Sequence, residues 1–176
     1  MKKEFPLSKV YALLESGPVI MVSTAYKGKN NVMPMCWHTM IDFDPPLVGC
    51  VIGAQSRTSR TLKRTGECVL NIPTAELGPK VIACGEVSGA KTDKFKKFGL
   101  RHSRASLVKA PLLDDCYASL ECELHDGKLA GKYDLFILKV VKAWVDAAVK
   151  NPRTMHHRGG DSFLLAGRPV SVRAAK

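Results

Sequence analysis

Acidic side chains are in short supply. Sixteen Asp and Glu stand against 27 Lys and Arg in 176 residues, a net charge of +11 with a pI near 9.5. That imbalance suits a positive cleft for phosphorylated small molecules, with general solubility as the other reading. Long apolar runs are missing too. No window reaches the 18 apolar residues of a transmembrane span, so no membrane partner is expected. The opening MKKEFPLSKV has two lysines but no apolar stretch behind them. It does not read as a secretory signal, and a cytoplasmic protein is expected. The six cysteines (Cys36, Cys50, Cys68, Cys84, Cys116, Cys122) form no CxxC, and five residues separate the closest pair. Usual zinc spacings are thereby excluded, and reduced thiols buried in runs such as LVGC and ECVLNI are the expectation. Cys84, beside Gly85 at an expected helix end, is the one candidate for a reactive thiol. His156 and His157 are neighbours and diverge in an extended chain, so no metal site is expected. Helix-turn-helix, zinc-finger and RNP-like aromatic patterns are absent. The cations are spread along the chain, with clusters only at 91–97 and 101–104. Nucleic acid is therefore not the expected partner.

What is present is a series of short apolar runs divided by Gly and Pro. Hydrophobic content of 45% and charged content of 24% suit one globular domain spanning 1–176. Leu7, Val10, Tyr11 and Leu14 recur at helical spacing, with Gly17-Pro18 as the stop. Val19–Tyr26 reads as a strand, Lys27-Gly28-Lys29-Asn30 as a hairpin turn, and 31–40 as a strand whose Pro34 demands a bulge or a sheet edge. Phe43-Asp44-Pro45-Pro46 turns the chain into Leu47–Ile52, a run apolar enough to be buried on both faces. Thr58–Thr65 reads as a short helix stopped by Gly66, followed by a strand over Cys68–Ile72. Thr74 is placed to cap a helix running to Gly85, with Gly78-Pro79 disturbing its first turn. Thr92 is placed to cap Asp93–Phe98. Ser119–Leu124 and Tyr133–Val145 read as the limbs of a hairpin around His125–Gly131. The tail from Asn151 is polar, anchored by Phe163-Leu164-Leu165. Six or seven strands with short helices between them predict a mainly β fold, an antiparallel, Greek-key-like barrel with flanking helices. The strands do not alternate one-to-one with long helices and no GxGxxG follows the first strand, which argues against a doubly wound parallel sheet.

The most informative stretch is the loop after the second buried strand, which packs Ser56, Arg57, Thr58, Ser59 and Arg60 together at a helix start. Hydroxyls, guanidinium groups and free helical N–H groups suit a phosphate. Plain capping by Ser56 or Thr58, with solvated arginines, accounts for the same residues.

The order and spacing of GPVIMVST, MCWHTM, FDPPLVGCVI, QSRTSRTL, GECVLNIPTAEL, CGEVSGAKTDKFKKFGL and APLLDDCYASLEC, with the tail HHRGGDSFLLAGR, carry a resemblance. The chain resembles the flavin reductase-like, FMN-binding split-barrel family, and within it the flavoredoxin-type proteins. The resemblance implies a homodimeric split β-barrel over about 17–146, with the tail from 147 packed on the barrel or on the partner subunit. It implies FMN as cofactor and electron transfer between NADH, NADPH or a redox protein and flavin. Carried onto this sequence, the flavin ring would lie against Met33, Met35, Cys36, Trp37, His38 and Thr39. Ser56, Arg57, Thr58 and Arg60 would hold the phosphate, Lys91 or Lys94 would reach the flavin, and Phe163 would cover the ring. Trp37 as plain core and His38 as a surface or interface histidine are the other readings of those two. No catalytic residue is assigned, since hydride transfer is the cofactor's own chemistry. Many NADH-using members carry a histidine before the last long strand, where this chain has Gly131-Lys132-Tyr133-Asp134. That departure leans toward tightly held FMN. A non-enzymatic flavin electron carrier, and a basic nucleic-acid-binding barrel without flavin, are the alternatives.

Overall fold

The computed structural model describes residues 2–10, 17–159 and 161–172. In chain order the elements are β1 (Lys2–Phe5), β2 (Ile20–Tyr26), β3 (Lys29–Met35), β4 (His38–Phe43), β5 (Pro46–Val51), α1 (Arg57–Thr65) and β6 (Glu67–Ile72). There follow α2 (Gly78–Glu86), α3 (Lys94–Phe98), β7 (His102–Ser103), β8 (Leu112–Leu113), β9 (Ala118–Asp126), β10 (Leu135–Asp146), β11 (Met155–Gly159) and β12 (Ser162–Leu165). Eight strands form one antiparallel sheet in the order β3-β2-β6-β9-β10-β5-β4, with β1 also on β10. The twelve-residue β10 makes this possible. It pairs with β9 along one edge, and along the other with β5 through Leu135–Lys139 and with β1 through Ala143–Asp146. The terminal strands β3 and β4 are not paired with each other. Instead His38 Nε2 lies 2.7 Å from the Pro18 carbonyl at the entry to β2. The sheet thus curls round as a split barrel.

Side-chain alternation along each strand sorts the core into layers. Ile20, Val22, Leu70, Leu120, Cys122, Phe136 and Leu138 fill the barrel interior. Val19 and Met21 point the other way, onto a second cluster with Val81, Cys84 and Phe95 from α2 and α3. The β2–β3 hairpin closes on Lys27 and Gly28 at φ 48° and 72°, the two left-handed residues of a type I′ turn. α1 begins at Ser56, whose Oγ accepts the Ser59 N–H at 2.9 Å. It ends at Gly66 in the left-handed conformation.

Several expectations are corrected. Residues 31–40 form not one strand but β3 and β4, parted at Cys36-Trp37, and both are sheet ends. Strands exceed six or seven because β1, β7, β8, β11 and β12 are only two to five residues long, too short for a period-2 pattern to show. Near the N-terminus the described part is β1 and a 3-10 turn over Leu7–Lys9, and Tyr11 and Leu14 lie outside the described residues. Thr74 makes no side-chain cap, and a 3-10 turn over Ala75–Leu77 precedes α2, with Pro79 in its first turn. Asp93, not Thr92, caps α3, accepting the Lys96 N–H at 3.1 Å. Cys84 is fully buried, and burial pushes its thiol above the ordinary value, so it is not a reactive surface thiol. Trp37 is 69% exposed, not core.

Candidate functional site

A groove runs between β3 and α2 and on to the start of α1. Its two compartments share Pro34. α2 approaches β3 closely there, since a Cβ on Gly85 would sit 3.2 Å from Pro34 Cγ.

The first compartment is polar, with a volume of about 360 Å³, and is lined by Ser56, Arg57, Thr58, Lys94 and Asn31 among others. Each of these is held by a contact that leaves donor capacity free. Ser56 caps α1 as an acceptor and keeps its hydroxyl proton. Thr58 Oγ1 accepts from Asn31 Nδ2 at 2.9 Å and likewise keeps its proton. Arg57 Nη1 donates to the Gly89 carbonyl, which fixes the guanidinium across the compartment wall. Lys94 is 5% exposed. Its Nζ donates to the Cys84 carbonyl at 2.6 Å, in the last turn of α2, a favourable place for a cation. Two ammonium protons remain. Burial pushes the Lys94 ammonium below its ordinary value, and the nearby Arg57 pushes in the same direction. Two cations that repel each other in a half-buried cleft gain from an anion. Glu86 is the single carboxylate in the lining. Surplus donors, two cations and the α1 N-terminus fit a phosphomonoester.

The second compartment is apolar, about 220 Å³, and is lined by Val19, Pro34, Met35, Cys36, Val81, Ile82, His157 and Phe163. Phe163 comes from β12 and stacks at 5.3 Å and 52° on His157 of β11. The tail hairpin is fixed there by the main chain: Val19 N–H donates to Met155 O at 2.7 Å and Ala75 N–H to Arg153 O at 2.8 Å.

Met33, Ser56, Arg57, Thr58 and Lys94 come together in the polar compartment, and Met35, Cys36 and Phe163 in the apolar one. Lys91 lines an adjoining cleft on the far side of Arg57. Arg60 is exposed, donates to Gln55 O at 2.8 Å, and faces Tyr26 and Arg64 rather than Ser56. Trp37, His38 and Thr39 line none of these clefts. Burial lowers the His38 pKa, and its Nδ1 is buried without a hydrogen-bond partner. Sequence reasoning missed Asn31 and Gly89. A Cβ on Gly89 would meet Asn31 Oδ1 at 1.8 Å, so Gly89 lets its loop seat against the amide that orients Thr58. Nothing in the local pattern announces a pairing between positions 27 residues apart. Among the described residues, no group of three or more His, Cys, Asp or Glu side chains is placed to hold a metal.

The architecture and the two-part groove define a mainly β split-barrel protein with a cleft suited to a phosphorylated aromatic ligand. Residues 14–165 match the flavin reductase like domain, and the chain belongs to that family. A crystal structure of an FMN-binding domain of a flavin reductases-like enzyme from Shewanella baltica superposes with a TM-score of 0.92 at 28% identity, covering 98% of each chain. Flavoredoxin of Desulfovibrio vulgaris shares the fold, with a TM-score of 0.81 at 19% identity over 88% of this chain and 89% of that one. Among sequence relatives, the uncharacterized protein YddH of Escherichia coli is 28% identical, covering 98% of this chain and 100% of its own length. A flavin reductase of Pseudomonas putida is 27% identical, covering 76% of this chain and 74% of its own.

Proposed function

We propose that this protein is an FMN-binding flavoprotein that passes electrons from NADH, NADPH or another reduced donor to flavin or a downstream acceptor. The observation that carries this reading is the groove itself, a donor-rich compartment and an apolar one joined along β3 and α2. Ser56, Arg57, Thr58 and Lys94 hold the phosphate. Met35, Cys36, Val81 and Ile82 flank the ring, and Phe163 covers it. Bound FMN supplies the redox chemistry. The chain's part is to hold the ring, exclude water with the tail hairpin and neutralise the phosphate. The six free cysteines are consistent with a reducing cytoplasm. A homodimer joined through β4 belongs to the same reading, supported by the exposed Trp37, Ile41 and Phe43 on a sheet end.

The test is an absorption spectrum of purified protein with FMN, then with NADH or NADPH under anaerobic conditions. Flavin bands that bleach on adding a nicotinamide support a reductase. Absence of flavin binding after reconstitution sinks the reading. A second reading is an electron carrier fed by another redox protein, favoured by the histidine-free turn Gly131-Lys132-Tyr133-Asp134. Bands that resist both nicotinamides support it.

A further inference from the structure

Two further clefts, of about 570 and 160 Å³, lie on either side of Tyr26 at the end of β2, and Tyr26 and Arg64 line both. Lys27 and Lys109 line the larger, Arg57 and Arg60 the smaller. Cations scattered along the sequence are thus gathered on one face by three separate elements. Arg57, Arg60 and Arg64 stand at i, i+3 and i+7, one stripe of α1, while Thr58, Ser59 and Leu62 are buried on its other side. Lys27 sits in the left-handed turn of the β2–β3 hairpin. Lys109 lies in a loop pinned by its main chain. Ser106, Leu107 and Val108 donate their N–H groups to the buried Glu121 carboxylate, and Lys109 donates its own to Glu67 Oε1 at 2.9 Å. Tyr26 is 37% exposed at the centre of the face. The Lys27 ammonium and the Arg64 guanidinium stand 5.5 and 5.6 Å from its ring centroid, cation–π contacts that restrain both side chains. Arg60 is tied to the Gln55 carbonyl. The ion pairs among the described residues, Arg101–Asp115, Lys142–Glu4 and Arg153–Glu76, involve none of these cations. Glu67 is the one carboxylate in either lining.

We propose that this face docks an acidic segment of a second protein, its carboxylates on Lys27, Arg60, Arg64 and Lys109 and an apolar side chain against Tyr26. Charge complementarity selects the partner, since five cations here face one carboxylate. Arginines around an exposed tyrosine are also the composition of a protein-binding hot spot. Side chains already restrained by the tyrosine and by a main-chain carbonyl have less rotamer freedom to lose on docking. Nucleic acid fits less well. A single strand calls for successive stacking platforms, and Tyr26 is the one aromatic ring in either lining. A duplex calls for an element that enters a groove, whereas α1 lies packed along the barrel. The inference does not depend on what occupies the groove between β3 and α2. Arg57 also lines that groove, so the test leaves it unchanged.

The experiment is fluorescence anisotropy of a labelled glutamate-rich peptide of about 20 residues with interspersed leucines, titrated with the full-length protein at about 150 mM salt. Binding that weakens as salt rises is expected. Arg60→Glu with Arg64→Glu should weaken it by about tenfold or more. Lys3→Glu with Lys150→Glu changes the net charge equally, lines neither cleft, and should leave binding within about twofold. Tyr26→Ala keeps the charge and should weaken binding about 3- to 10-fold, which tests the face even where the charge-reversed variant does not fold. No peptide binding, or binding that the Arg60/Arg64 and Tyr26 variants leave intact, overturns the proposal. An equal loss in the Lys3/Lys150 variant also overturns it, because the effect then belongs to net charge alone. A single-stranded oligonucleotide of similar length that binds more tightly than the peptide, through the same residues, assigns the face to nucleic acid and overturns it as well.

Discussion

Arg57 and Lys94 are cations brought within each other's field, one of them buried, and the fold holds each by a single main-chain carbonyl. Such an arrangement costs stability until an anion arrives, so phosphate affinity should rest heavily on these few contacts. Arg57→Ala with Thr58→Ala removes the guanidinium and the buried hydroxyl. It should lower FMN affinity by about 10- to 100-fold, read by fluorescence titration. Full flavin stoichiometry and unchanged affinity in a folded double variant would remove the phosphate assignment. His38 offers a pH test. Burial lowers its pKa below the ordinary 6.5, the Pro18 carbonyl acts against that shift, and nearby His156 adds to it. Between the lowered value and 6.5 the unfolded chain holds a proton that the folded chain does not. His38's contribution is therefore fully present above 6.5 and is lost as pH falls through that window. His38→Gln removes the titration and retains an N–H donor for the Pro18 carbonyl. Its urea midpoint should fall less than wild type between pH 6.5 and 5, and parallel profiles would contradict this assignment.

At the scale of elements, the tail hairpin decides whether the apolar compartment has a roof. β11 and β12 reach it through main-chain bonds to Val19 and Ala75, and Phe163 is the side chain they deliver. Phe163→Ala leaves those bonds in place. It should raise the flavin dissociation rate about 3- to 10-fold and increase quenching of flavin fluorescence by iodide, at an unfolding midpoint close to wild type. Unchanged off-rate and quenching would show that the hairpin does not cover the ring. The same hairpin marks where sequence legibility ends. The β2–β3 turn, Gly66 as the stop of α1 and the β9–β10 hairpin were all legible, because turn chemistry and periodicity act over a few residues. The tail hairpin has strands of five and four residues and is pinned by backbone, so its apolar run Phe163-Leu164-Leu165 marks an anchor but not a strand pair. Trp37 misled for a related reason. Read inside a continuous strand it belongs in a core, but the chain breaks at Cys36-Trp37 and leaves the indole outside. For the candidate site, the hydroxyl–Arg loop was visible, whereas Asn31 and Gly89 are defined only by what packs on them.

For the whole molecule, two forces oppose each other. A net charge of +11 repels a second copy, while β4 and the residue before it present Trp37, Ile41 and Phe43 at 69%, 47% and 58% exposure beside a strand paired along one side only. Exposed apolar side chains on a sheet end favour association, and added salt screens the repulsion without weakening apolar contact. Light scattering coupled to gel filtration should therefore give twice the 19.2 kDa chain mass, with the dimer fraction rising between about 50 and 300 mM salt. Ile41→Lys places a charge inside the stripe and should yield monomer with an unchanged circular dichroism spectrum. Trp37, His38 and Thr39 line none of the clefts described above, and in the dimer proposed here a flavin contact from them is made across the β4 face. The Ile41→Lys monomer should then also retain flavin less well than wild type at equal protein concentration. A monomeric wild type would remove the interface, and a monomeric variant with full flavin retention would confine the site to one chain.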